Sequence, residues 1–330
     1  MSKSSDGFTP MAIGGQAVIE GVMMRAPGMV ATAVRRADGS ISVRRDPHRS
    51  IAERFPILKL PVFRGAVGLV EMMVIGIRTL NYSAEVSLRD LDRVDNGSNG
   101  SARGGTSADT LRLGLTVGFA LVAGIALFFA LPLVLASVFL PVGQQPFLFN
   151  VATGGIRVGL LLGYLSVIAL MKDIRRLFEY HGAEHKAVFA FELGKPLDVA
   201  AAAMQSRFHP RCGTSFLLIV MLSAILLFSI VDTLLILWLG EITLLTRLAT
   251  HLPLIPLVGG LSYEIIRLSA KHGDSPVGRF VAAPGLWLQR ITTREPDAGQ
   301  IEVALAALRA ALGLEDVPVP AAATTDALTI

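Results

Sequence analysis

Two short stretches of the 330-residue chain carry side chains able to hold a metal ion. The first reads Tyr180-His181-Gly182-Ala183-Glu184-His185-Lys186. The second begins twenty-four residues after His185 and reads His209-Pro210-Arg211-Cys212-Gly213. If the first stretch is helical, Ile174, Phe178, His181, His185 and Val188 fall on one stripe, so two imidazoles stand one turn apart where apolar residues would otherwise pack. Glu184 lies beside both. Proline bends the second stretch, and a His-x-x-Cys turn presents two further donors. His181, His185, His209 and Cys212 together form a nitrogen-and-sulfur set suited to Zn²⁺ or another divalent transition metal.

The order His-x-x-Glu-His is also that of the inverted zinc-peptidase signature, in which the histidines hold zinc and the glutamate is the general base. Glu184 is therefore the candidate catalytic residue. Such a site needs three protein ligands and an open position. His209, Cys212 or Glu264 are all candidates for the third, Glu264 because it is ionisable within an apolar run. Four filled ligands would instead make a closed structural site. Glu184 would then only orient a histidine, and Glu264 would pair with Arg267 one turn on. A second unusual segment, Gly14-Gly15-Gln16-Ala17-Val18-Ile19-Glu20-Gly21-Val22-Met23-Met24-Arg25, offers Gln16, Glu20 and Arg25 to a shared polar site. Its glycine pair suits a turn into a β unit or a close approach to a ligand.

The elements that must position these residues are mostly apolar helices. Composition is 52% hydrophobic and 17% charged, against about 25% charged in ordinary soluble domains. Leu113 to Leu140 holds no charge over 28 positions, enough for a tilted membrane span. Further spans are expected from near Thr153 to Met171, from Thr214 to Val231 or Leu239, and from Leu248 to Ile266. The last is interrupted by Pro253 and Pro256. Ahead of them, residues 1–54 read as a small β-rich unit with a hairpin at Asp38-Gly39. Residues 55–95 read as an interfacial amphipathic helix, and 96–110 as a Gly/Ser/Asn linker. Residues 111–271 hold the spans, with the candidate metal loop at 172–213. Residues 272–330 hold Trp287, an amphipathic helix capped by Asp297 and Gln300, and a disordered tail. The fold class is thus mainly α, a multi-pass transmembrane bundle of about four helices with a small N-terminal β unit.

Charge distribution gives the orientation. The segment from Lys172 to Arg211 has seven Lys or Arg and that from Arg267 to Arg309 has six, whereas Pro141 to Asn150 has none. Both ends and the metal loop are therefore expected in the cytoplasm, with the chain in the cytoplasmic membrane and Arg157 and Arg247 at the outer ends. The net charge of +4 then reflects orientation in a bilayer, and no nucleic-acid partner is expected. A lone cysteine excludes an internal disulfide, and no cleavable signal peptide is evident.

The run Gly14–Arg25, together with Tyr180–Lys186, His209–Phe216 and Ser262-Tyr263-Glu264, resembles the YqhQ-type family of bacterial multi-pass membrane proteins (domain of unknown function 1385). The resemblance covers roughly Met11 to Leu314. It implies a membrane architecture and a metal-dependent enzyme, and it supplies no substrate. The expected activity is metal-dependent hydrolysis at the cytoplasmic membrane face. The alternatives are a zinc-stabilised scaffold or assembly factor without turnover, and a transporter using Asp232 and Glu264.

Overall fold

The computed structural model describes residues 13–96, 115, 116, 118–120, 122–140, 145–272 and 275–314. The expected linker, apart from its first residue, and the tail beyond Leu314 lie outside these.

Four strands form an antiparallel meander in the order β1 (Gly14–Val18), β2 (Gly21–Ala26), β3 (Met29–Arg35), β4 (Ile41–Pro47). Gly28 and Gly39 sit at left-handed φ of 80° and 84° in the second and third turns, where a side chain would be strained. The expected Asp38-Gly39 hairpin is present, with Arg35 opposite Ile41. The Gly14-Gly15 pair, however, lies within β1 rather than in a turn.

A short helix α1 (Ile51–Arg54) and a 3₁₀ turn lead into α2 (Phe63–Asn96), 34 residues long. Next come α3 (Leu131–Phe139), the end of an apolar helix from Gly118, and α4 (Pro146–Ile168). They are followed by α5 (Lys172–Glu192), α6 (Val199–Ala203), α7 (Gly213–Leu239), α8 (Leu244–Lys271), α9 (Pro276–Thr292) and α10 (Ala298–Leu312). Among the described residues, four segments are long and apolar enough to cross a membrane: Gly118–Phe139, Phe147–Ile168, Gly213–Leu239 and Leu244–Ser269. The fourth runs unbroken through both prolines.

The second apolar helix starts earlier than the sequence suggests, at Pro146, because Pro is compatible with the first helical turn. Asn150 and Arg157 therefore lie inside it rather than at its outer edge. Arg157 has a structural partner there. Pro132 cannot donate to the carbonyl four residues back, and a π-helical turn at Ala126–Ala130 marks the disruption. The carbonyl concerned, that of Phe128, accepts a hydrogen bond of 2.8 Å from Arg157 Nε.

The sheet is covered on both faces. Alternate residues Val22, Met24 and Ala26 meet α5 and α10 through Ala183, Ala187, Ile301, Leu305 and Leu308. The intervening Met23 and Val30 meet Ile75 and Met72 of α2. The C-terminal helix is thus a core element of the sheet unit. Its Asp297/Gln300 capping box is formed in full, but its burial extends well beyond one amphipathic stripe to Val303, Ala307 and Ala311.

Candidate metal centre

The site stands where α4 hands over to α5 and where α7 begins. Only Ala169 to Met171 separate the second apolar helix from α5, so the histidines of α5 stay close to the end of the helix bundle. Gly182 allows the next contact. A Cβ there would lie 2.1 Å from the Arg294 carbonyl oxygen, so only glycine lets the α9–α10 connection cross α5 at this point. That crossing is pinned by Arg294 N–H donating to the Phe178 carbonyl at 2.8 Å. It also delivers the Thr292 carbonyl to His181.

Each histidine is held by a backbone carbonyl. His181 Nδ1 lies 2.8 Å from the Thr292 oxygen, and His185 Nδ1 lies 2.5 Å from the Arg207 oxygen. A carbonyl only accepts, so Nδ1 carries the proton in both rings and both Nε2 atoms present lone pairs. The Nε2 of His181 is 3.2 Å from Cys212 Sγ. The Nε2 of His185 is buried with no hydrogen-bond partner. One donor atom from each of His181, His185 and Cys212 lies within 4.8 Å of the other two. Metal-binding histidines have this pattern, one nitrogen fixed by a carbonyl and the other facing the ion.

Cys212 caps α7, its sulfur accepting from Thr214 N–H at 3.4 Å. The turn before it is clamped by Gln289 of α9, which accepts from His209 N–H at 2.8 Å and donates to the His209 carbonyl at 2.7 Å. Lys186, buried beside His185, donates at 2.8 Å to the Ala203 and Gln205 carbonyls, which anchors the segment carrying Arg207.

Glu184 joins the site from the same turn of α5. Its Oε2 lies 3.5 Å from His185 Nε2 and 4.0 Å from His181 Nε2. Burial pushes its carboxyl above the usual carboxylate range, opposed by the nearby imidazoles of His181 and His209 and by the Gly15 N–H. Burial likewise lowers His185, and the nearby Cys212 opposes that shift. Gly15 faces Glu184 so closely that a Cβ would sit 2.6 Å from Glu184 Cγ. The glycine in β1 is therefore explained by a close approach of strand to acid.

The other expected site residues lie outside the three-donor cluster, His209 directly beside it and the rest farther off. His209 is outside the three-donor cluster because both its nitrogens are engaged. Nδ1 accepts from Arg211 N–H at 3.2 Å, and Nε2 faces Glu192 at 3.3 Å. Glu264 pairs with Arg64 at 2.6 and 2.5 Å rather than reaching the histidines or relying on Arg267. Gln16, Glu20 and Arg25 share no common site. Gln16 lies against Gly76 of α2. Arg25 reaches Met72 and Glu71 on the same face. Glu20 bonds Arg176 and Tyr180 of α5. Asp232 is fully buried among Asn150, Arg247 and His251. Among the positioning residues, Gly182, Lys186 and Gln289 were not singled out by sequence reading. Gly182 and Lys186, both within the histidine motif, offered a signal, and Gln289 offered none.

The class defined by this geometry is a helical protein with four potential membrane spans among the described residues and a largely buried His/His/Cys cluster beside an acid. The chain belongs to the family described as "Protein of unknown function (DUF1385)", whose model matches residues 60–314 and so covers the whole cluster. The "Uncharacterized protein YqhQ" of Bacillus subtilis is 34% identical over 314 residues, covering 93% of this chain and 94% of that protein. No solved structure matches the chain.

Proposed function

We propose that this chain is a multi-pass protein of the cytoplasmic membrane that binds a divalent transition metal, zinc foremost, through His181, His185 and Cys212, and hydrolyses an amide or ester bond at the inner membrane face. The observation that carries the reading is the pair of inward-facing Nε2 atoms converging with a sulfur, one of them buried with no hydrogen bond. Nitrogen and sulfur donors of this kind suit zinc. Three of them leave a fourth coordination position for water or substrate. Zinc held there would supply a Lewis acid that acidifies water and polarises a carbonyl. The chain supplies the rest. Thr292 and Arg207 keep both imidazoles in the binding tautomer, and Glu184 Oε2 stands beside the donors to take and return a proton.

Orientation rests on charge. Lys172, Arg175, Arg176 and Arg211 flank the site end of the bundle, while Gly240 to Thr243 at the other end hold no Lys or Arg. Both chain ends are accordingly assigned to the cytoplasm.

One observation favours a second reading, a zinc-stabilised scaffold without turnover. The side chains of His185 and Glu184 are only 2% and 8% exposed, and the hollow of about 390 Å³ beside Asp198 and Arg309 is lined by none of the cluster.

Metal analysis of the purified protein together with Glu184→Gln separates these readings. A hydrolase keeps stoichiometric metal in the variant but loses activity against an amide and ester panel, by about 10²–10⁴-fold, the usual contribution of a general base. A scaffold keeps both its metal and its cellular phenotype. Wild-type protein purified without metal would remove both readings.

A further inference from the structure

The first half of α2 is amphipathic in the opposite sense to a helix on a soluble domain. Its polar groups face the protein: Glu71, buried against the sheet side, accepts from Ser50 Oγ at 2.9 Å and Ile51 N–H at 2.6 Å. Its outward face is apolar. Phe63, Val70, Met73 and Ile77 are 54, 54, 57 and 50% exposed, and nothing in the described chain covers them. Steps of seven, three and four place them on one stripe. On the same outward side the character changes at Arg78: Asn81, Glu85 and Arg89 continue the stripe of Ile77 at steps of four and are exposed, with Leu80 and Leu88 as the exposed apolar residues among them.

This apolar stripe is continuous with that of a membrane-spanning candidate. A Cβ on Gly65 would sit 2.9 Å from Gly260 Cα of α8, and Leu69 lies against Gly259. The Arg64–Glu264 pair closes the contact. Leu257 and Leu261 of α8, beside this contact, are themselves exposed at 41 and 37%. A bilayer surrounding α8 at this level also meets α2. Residues 63–77 extend about 22 Å at 1.5 Å each, short of the roughly 30 Å of hydrocarbon.

We propose that α2 from Phe63 to Ile77 is embedded in one leaflet of the bilayer against α8, with Arg78 marking its emergence among the headgroups. This rests on the reading that α8 and its neighbours cross the membrane. It adds to that reading a fifth, non-crossing membrane element and fixes the metal centre at the bilayer surface. Gln16 of β1 lies against Gly76 in the embedded half of α2, and the adjacent Gly15 holds Glu184. One strand separates the leaflet from the acid.

Nitroxide labels on Met73→Cys, Asn81→Cys and Leu226→Cys in phosphatidylcholine–phosphatidylglycerol nanodiscs test the proposal. Leu226, on α7 and 62% exposed, reports on the spans, and the unmutated chain reports any labelling of buried Cys212. Accessibility to oxygen, which favours lipid, is compared with accessibility to a water-soluble nickel chelate. The expected oxygen-to-nickel ratio at Met73 matches that at Leu226 and exceeds that at Asn81 several-fold. A ratio at Met73 equal to that at Asn81, with Leu226 still lipid-like, overturns the proposal and leaves the spans intact. Aqueous readings at both Met73 and Leu226 overturn the membrane reading itself. Met73 shielded from both reagents, with dipolar broadening lost on dilution by unlabelled chain, assigns the stripe to a second copy instead and also overturns the proposal.

Discussion

Two polar clusters occupy opposite ends of the helix bundle, built from similar residue types with opposite outcomes. At one end Asp232, Arg247, His251 and Asn150 join α7, α8 and α4. Asp232 accepts from Asn150 Nδ2 at 2.6 Å, meets His251 Nε2 at 2.9 Å and pairs with Arg247 at 3.3 Å. The His251 ring lies flat on Phe228, and Arg247 lies over Phe149. Asp232 engages all three of the others, and the product is a clasp between three helices. At the other end, two backbone carbonyls engage one nitrogen of each histidine and leave the other nitrogens and a thiol facing inward. In the clasp a carboxylate takes the Nε2 of the imidazole, whereas in the candidate centre carbonyls take Nδ1 and leave Nε2 turned toward a thiol and a second imidazole. Asp232 and Glu264, the carboxylates that suggested transport, both have structural partners.

The largest test of this contrast is metal content. His185→Ala and Cys212→Ser should each lower zinc affinity by more than the roughly 100-fold that loss of a mere supporting group can cost, read by metal analysis after dialysis. Asp232→Asn should leave metal content unchanged. Zinc loss in the Asp232 variant would show that the two ends are not independent.

The next effect is on stability. Asp232→Ala leaves the guanidinium of Arg247 buried without its carboxylate, which costs about 3–5 kcal/mol for a buried pair broken from one side. Thermal unfolding in detergent should fall markedly while zinc stays bound. An unchanged Tm would show that the clasp contributes nothing.

A smaller effect separates positioning from binding. Gly182→Ala puts a methyl 2.1 Å from the Arg294 carbonyl oxygen, so the crossing segment must move and carry the Thr292 carbonyl away from His181. Zinc affinity should fall by about 10–100-fold, the range for groups that orient a ligand, with His181 itself intact. Unchanged affinity would mean that Thr292 does not fix the imidazole.

Reading the sequence located this contrast only in part. The spacing of His181, Glu184 and His185 sufficed to place three polar groups on adjoining positions of one helix, and Cys212 was found because a turn before an apolar helix returns the chain to the same end. His209 had the same residue type and an equally suitable position. What removes it from the donor set is the Arg211 N–H on Nδ1, a backbone detail of the turn that no spacing shows. The clasp was hidden because Asp232 and Arg247 face each other only once the α7–α8 turn is closed, and Asn150 enters only when α4 starts at Pro146. Arg157 was legible in principle, since Pro132 releases the carbonyl four residues back, which Arg157 then satisfies. The four-stranded sheet was legible from its alternation and turns. Its closure by α10 was not, because an alanine-rich helix buried on several sides reads in sequence as an amphipathic surface helix.

The smallest effect asks to which type of cluster His209 belongs. Its partner Glu192 is raised by burial, but the His209 contact and the adjacent Arg211 outweigh this and hold its carboxyl below the ordinary 4.5. A carboxyl depressed in the folded state contributes stability that is complete above its ordinary value and is lost as pH falls through the depressed one. In chelator-treated protein, the Tm advantage of wild type over Glu192→Gln should be constant from about pH 7 to about pH 5 and should shrink below that. His209→Gln should retain zinc, because the ring is already engaged on both nitrogens. Loss of zinc from that variant would move His209 into the donor set and make the metal centre a closed four-ligand site.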